Sequence, residues 1–213
     1  MPDDQDIYLA EPPGGARAGV VVVHDWYGRL PYIRDLCDEL AAAGLAAAAP
    51  DLYAGRTATD PGQAEALAGQ MDRAAAPGRL DEAVTTLKGR VGGGPVGVLA
   101  WSLGGSYAIG LATRGGVDAA AIYYAAGDED DAAKLHCPVL LQLAETDEFD
   151  PPEFYEGFVA ALRAGGTEVE VHTWPGTEHS FANRDVALHA PEQSAEAWTV
   201  TVGFLRRHLL GTG

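Results

Sequence analysis

Residues 18–50 read AGVVVVHDWYGRLPYIRDLCDELAAAGLAAAAP, and this stretch decides the fold. Ala18 to His24 is an unbroken apolar, largely β-branched run, the kind of strand that is buried on both faces of a parallel sheet. A loop, DWYGRL, follows it. Pro31 then suits the first position of a helix that runs to about Ala43, and Gly44 suits the left-handed residue that stops one. Leu45 to Ala49 makes the next strand, ended by Pro50. Strand, helix and strand in this order form a βαβ unit.

The rest of the chain keeps the same grammar. Residues 51–60 form a polar loop, and 61–91 read as helical with a break near Pro77 and Gly78, closed by the glycines at 92–94. Pro95 to Ala100 is strand-like, and a glycine-rich helix runs from after Ser102 to about Ala112. Ala119 to Tyr124 and Pro138 to Ala144 are further short apolar strands, each bounded by turn residues. Pro151 to Ala164 is a helix, Thr167 to Thr173 alternates with period two, and Pro191 to Leu210 is a long terminal helix. Alternating strands and helices predict an α/β architecture, a mostly parallel, doubly wound sheet flanked by helices. No repeat, linker or low-complexity tract interrupts the 213 residues, a length that suits one domain spanning 1–213.

Composition narrows the function. Fourteen basic residues against 31 acidic ones give a formal net charge of -17, which repels phosphate backbones and anionic bilayers. Nucleic acid and membrane surfaces are therefore not expected as partners. With 47% hydrophobic and 21% charged residues the chain has the composition of an ordinary globular protein. Cys37 and Cys137 lie a hundred positions apart and fit neither a disulfide framework nor a metal or redox pair, so both are expected to be buried thiols. The opening MPDDQDIYLAEPP lacks the basic and apolar regions of a secretory signal, and no apolar run is long enough to span a bilayer. A cytoplasmic protein is the expectation.

Chemistry is suggested first at Ala100-Trp101-Ser102-Leu103-Gly104-Gly105. The pattern small-x-Ser-x-Gly is weak alone, but this copy stands directly between a predicted strand and a predicted helix. There a sharp turn holds the serine in a strained conformation, and small residues on either side let strand and helix approach. An activated serine needs a base, and the base needs an orienting group. Of the six histidines, His24, His136, His172, His189 and His208 lie in or beside predicted strands and helices, whereas His179 sits in the loop TWPGTEHSFANR between the last strand and the last helix. Loops of this kind project functional side chains over a sheet edge. The orienting carboxylate should follow another strand, after the serine and before the histidine. Asp147 meets that requirement in AETDEFDPPE, with Glu145, Glu148 and Asp150 as competitors; Asp150, just before two prolines, suits a helix cap.

The segments HDWYGRLPYIRDLCDELAAAGLAAAAPDLY, AWSLGG, ETDEFDPPEFY and WPGTEHSFAN, in that order, cover most of the chain and resemble the dienelactone hydrolase family of the α/β-hydrolase fold. The resemblance implies a hydrolase without a large cap domain, needing no cofactor or metal, whose nucleophile, acid and base fall on Ser102, Asp147 and His179. Leu103, just after the nucleophile, and by resemblance Trp26 would offer backbone N–H groups to the oxyanion. Trp26, Tyr27, Tyr53, Trp101, Tyr123 and Phe181 are aromatic candidates for a pocket wall. The chain also departs from the family pattern. Serine stands where members acting on dienelactone typically carry cysteine. Asp25 stands where they carry an acid, usually glutamate, that helps prime the thiol. Asn183 stands where an arginine holds the substrate carboxylate, with Arg184 one position later.

These observations lead to a serine hydrolase, monomeric or a small homo-oligomer, that cleaves a small ester, lactone or thioester through an acyl-enzyme. Two alternatives accompany it. One is a true dienelactone hydrolase in which Arg56, Arg73 or Arg184 anchors a carboxylate; the other is a non-catalytic ligand-binding protein built on the same fold.

Overall fold

In a computed structural model describing residues 6–212, the valine run forms the strand β2 (Gly19–Val23), with all five residues buried. Val20 and Val22 point to one face of the sheet and Val21 and Val23 to the other, so both faces need a helical cover. The helix α1 (Pro31–Ala42) supplies part of that cover through Ile33, Leu36 and Leu40, and β3 (Ala46–Pro50) returns parallel to β2. Beside β3 lies a strand absent from the sequence-based expectation, the antiparallel β1 (Ile7–Ala10). Four residues without alternation carry little local signal. Residues 1–5 of the N-terminal stretch read for a signal lie outside the described residues.

The helical stretch 61–91 is two helices, α2 (Pro61–Gly69) and α3 (Ala76–Arg90). Its break lies at residues 70–75 rather than at Pro77 and Gly78. Asp72 Oδ1 accepts hydrogen bonds from the N–H groups of Ala74 and Ala75 and turns the chain there. Pro77 instead sits in the first turn of α3, where its missing N–H has no intrahelical partner to lose.

The remaining order is β4 (Val96–Trp101), α4 (Leu103–Thr113), β5 (Ala119–Tyr123), the short α5 (Glu129–Ala132), β6 (Val139–Thr146), α6 (Pro152–Ala164), β7 (Val169–Glu178) and α7 (Pro191–Leu210). The helix α5, one turn closed by a capping box between Asp128 and Asp131, was not expected from the sequence. The strand β7 starts two residues later than the alternation indicates and ends five residues later. A register shift lets Thr146 pair with Glu178 at its far end.

The seven strands lie in the order β1-β3-β2-β4-β5-β6-β7, all parallel except β1. Apolar side chains of α1 and α7 pack on one face, and those of α3, α4 and α6 on the other. No helix among the described residues is long and apolar enough to cross a membrane. Both cysteines are buried and unbridged. From β2 the chain first winds outward to β3 and then returns past β2 to β4, winding the other way to β7. The order of winding thus reverses between the parallel strands β2 and β4, and a crevice at the carboxyl ends of such strands is where doubly wound folds bind ligands.

Candidate active site

Ser102 occupies that switch point, between the last residue of β4 and the first of α4. Its backbone has φ 49° and ψ -120°, a conformation that L-residues with side chains rarely adopt. Such a geometry costs about 1–3 kcal/mol and persists because its surroundings hold it. Here the Ser102 N–H donates to the Tyr123 carbonyl at 3.0 Å, and the Ser102 carbonyl accepts from Gly105 N–H at 2.7 Å. The glycines after the serine are there for closeness. A Cβ on Gly104 would lie 2.3 Å from the His24 carbonyl oxygen, and one on Gly105 would lie 2.5 Å from the Ala125 methyl. Leu103 opens α4, so its N–H has no acceptor within the helix and remains available beside the serine.

His179 follows β7 directly and reaches back across the sheet edge. Its Nε2 lies 2.8 Å from Ser102 Oγ, and its Nδ1 lies 2.9 Å from both carboxylate oxygens of Asp147. A carboxylate only accepts, so Nδ1 carries a proton and donates to Asp147, which leaves Nε2 facing the serine hydroxyl. Asp147 is held by its own loop, with Oδ1 accepting from the N–H groups of Phe149 and Asp150. Tyr155 of α6 donates its hydroxyl to Asp147 Oδ2 at 2.8 Å. Burial pushes the Asp147 carboxyl upward, but the hydrogen bond and charge of His179 together with these donors outweigh it and hold the group below its ordinary value. Tyr155 was not singled out from the sequence, where it is one of several aromatic positions on a helix.

Trp26, Leu103, Ser106, Tyr124, Phe149 and Asp150 surround Ser102 and His179 in a cavity of about 210 Å³. A larger cavity, about 440 Å³, lies on the other side of Asp147, among Leu143, Tyr155, Val159 and Val171. It touches neither Ser102 nor His179, so we place the site in the smaller one on its chemistry. Asp150 does not cap α6, whose N-cap is Pro151 without a side-chain bond; it faces the cavity. Burial first, and the neighbouring Asp147 charge second, raise its pKa.

Several expected wall residues are elsewhere. Tyr27 is buried against Trp26 from behind, and Tyr53 packs in the core against His24. Trp101 stacks on Tyr123 beneath the sheet edge, and Phe181 lies buried against Tyr123 and Tyr124. Arg184 pairs with Glu39 of α1 through two hydrogen bonds and does not line the cavity. Arg56 bonds to Gln70 and the Tyr53 carbonyl, and Arg73 is exposed. Among the described residues the cavity wall has no lysine or arginine.

Asp25 is wholly buried and also outside the cavity wall. It accepts from Tyr27 N–H at 2.9 Å, from the Tyr32 hydroxyl at 3.2 Å and from Asn183 Nδ2 at 2.7 Å. Burial lifts its pKa to about 6 against the pull of these donors. His24, next to it, is structural: Nδ1 lies 2.6 Å from the Asp25 carbonyl oxygen and Nε2 accepts from Leu52 N–H. A group able to ligate a metal, Glu168, Glu170 and His208, lies at the opposite end of β7 from the cavity. Glu170 is paired with Arg207 there, and Glu168 with His208.

Comparison with known proteins places this geometry in context. Residues 6–209 match the profile of the dienelactone hydrolase family. A relative from Azospirillum brasilense, provisionally named a carboxymethylenebutenolidase, is 35% identical, covering 95% of this chain and 93% of its own. The carboxymethylenebutenolidase of Pseudomonas putida is 30% identical over 92% of this chain and 89% of its own. A crystal structure from Klebsiella pneumoniae, provisionally named a dienelactone hydrolase, superposes with a TM-score of 0.82 at 24% identity, over 94% of this chain and 92% of that one, which is a likeness of fold.

Proposed function

The chain belongs to the dienelactone hydrolase family and is a hydrolase of the α/β-hydrolase fold; on that premise we propose that it cleaves small uncharged esters or lactones through an acyl-serine intermediate. One observation carries this reading: the continuous hydrogen-bonded line from Ser102 Oγ through His179 to Asp147, with contacts of 2.8 and 2.9 Å.

In this mechanism Ser102 Oγ attacks the carbonyl carbon while His179 Nε2 takes its proton. Asp147 holds the ring in the correct tautomer and stabilises the imidazolium that forms. The N–H groups of Leu103 and Trp26 meet the oxygen that becomes negative. Collapse breaks the acyl–oxygen bond, and the imidazolium returns the proton to the departing alkoxide. Water, deprotonated by the same nitrogen, then releases the acid and restores the serine. A serine suits this arrangement because the base removes its proton during attack, so its own pKa need not approach neutrality.

The relatives' names refer to a lactone bearing a carboxylate. A fixed cation to anchor such a group is missing from the described wall of this cavity, and Arg184 is committed to Glu39. An uncharged substrate therefore fits better. The unbridged, buried cysteines accord with work in the reducing cytoplasm. Reaction with a fluorophosphonate probe tests the reading: wild type should be labelled and lose esterase activity, and Ser102→Ala should take no label. A wild type that takes no label would refute it and return the ligand-binding alternative, and labelling of both proteins alike would move the nucleophile away from Ser102.

A further inference from the structure

Among the described residues the cavity wall, apart from the groups assigned to the reaction, has one charged side chain, Asp150, and it is negative. Asp147 is engaged directly by His179 and the Tyr155 hydroxyl, while Asp150 lies within the influence of the same two groups and also borders the cavity. Around the same space stand aromatic rings. Trp26 and Phe149 meet edge to face with centroids 5.6 Å apart, and Phe149 lies 4.5 Å from His179. Tyr124 closes the wall on the other side of the histidine, 4.7 Å away. Phe149 is 51% exposed, so its ring is accessible at the cavity.

Aromatic faces beside a carboxylate are the surroundings in which compact organic cations bind, drawn by the ring quadrupoles and the full charge together. The long-range field agrees, because a chain with a net charge of -17 attracts cations and repels anions. Building on the serine-hydrolase reading above, we propose that this cavity selects esters carrying a compact alkylammonium group, held against the Trp26 and Phe149 rings with its charge toward Asp150. Acyl transfer then proceeds as already written, with water as the second substrate and a carboxylic acid and an ammonium alcohol as products.

The test uses acetylcholine and 3,3-dimethylbutyl acetate, which differ by a quaternary nitrogen in place of carbon. The wild-type protein should show a kcat/KM about three- to thirtyfold higher for the ammonium ester, the span expected of a cation among aromatic rings. Asp150→Asn should bring the ratio of the two toward one, and Phe149→Leu should lower it. Glu153→Gln, which removes the same charge from the exposed first turn of α6, should leave the ratio as it is. A wild-type ratio of one or below, or a ratio unmoved by Asp150→Asn, overturns the cation site while Ser102-dependent cleavage of the neutral ester keeps the hydrolase reading intact. Cleavage of the neutral ester that persists in Ser102→Ala would instead remove both. If both acetates turn over too slowly to compare, choline and 3,3-dimethylbutanol are compared as inhibitors of p-nitrophenyl acetate hydrolysis. Choline should inhibit at the lower concentration, and equal or weaker inhibition by choline overturns the proposal.

Discussion

Asn183 Nδ2 donates to Asp25 Oδ2 at 2.7 Å, joining two residues 158 positions apart and tying the loop that carries His179 to the loop that carries Trp26. A second tie lies beside it, where Asp185 accepts from the N–H of Tyr32 in the first turn of α1. Asn183 Oδ1 in turn accepts from Asp185 N–H. The acid that resemblance suggested as a primer of the nucleophile is here hydrogen-bonded to Tyr27, Tyr32 and Asn183, and it holds two loops in register.

Asn183→Ala removes one donor from a buried carboxyl group, which costs roughly 1–3 kcal/mol. Urea unfolding should show that loss, and kcat should fall as the base drifts relative to the serine. Unchanged stability would mean that the contact carries no net energy.

Asp25 also makes stability depend on pH. Its proton is bound more tightly in the folded protein than in the unfolded chain between the ordinary 3.8 and about 6. Its contribution to stability therefore falls as pH rises through that window and is level above it. Asp25→Asn lacks this loss, so the Tm advantage of wild type over the variant should shrink from pH 4 to pH 7. Melts at four pH values decide it, and an advantage that stays constant would contradict a burial-raised carboxyl.

Removing the proposed nucleophile tests the reaction itself. Ser102→Ala should lose up to roughly 10⁶-fold in kcat, with His179→Ala equally inactive and Asp147→Asn less affected. The fold should survive, as judged by circular dichroism. Ester hydrolysis by Ser102→Ala within tenfold of wild type would exclude the serine as nucleophile.

Tyr155→Phe deletes the hydroxyl on Asp147 while keeping the ring that packs in the core. A lost hydrogen bond to a carboxylate is worth roughly 1 kcal/mol or more, so kcat should drop about fivefold or further with KM little changed. An effect confined to KM would show that Tyr155 acts through substrate binding.

Arg184→Ala should leave discrimination between a neutral ester and its carboxylate-bearing analogue as in wild type, because its guanidinium already meets Glu39 at 2.5 Å. The measurement is kcat/KM for both compounds at low and moderate salt. A preference for the carboxylate compound that vanishes in Arg184→Ala would restore an anionic lactone as the substrate.

The order of elements and the serine elbow could be read from the chain because they rest on local chemistry. A buried strand needs a β-branched run such as Val20 to Val23, helices open readily on Pro31 and Pro191, and a tight strand-to-helix turn needs small neighbours such as Gly104. The chain order of Ser102, Asp147 and His179 was equally visible as positions after strands. What tertiary structure decided is which way side chains point and what they meet at long separation. Trp101 neighbours Ser102 in sequence yet, on a strand of period two, turns into the core with Tyr123, and Phe181 follows His179 by two residues and is buried as well. The pairing of Thr146 with Glu178, which extends β7 up to the histidine, and the contacts Asn183 to Asp25, Tyr155 to Asp147 and Arg184 to Glu39 have no local signature. Each depends on two distant segments arriving at the same place, and only the packed sheet brings them there.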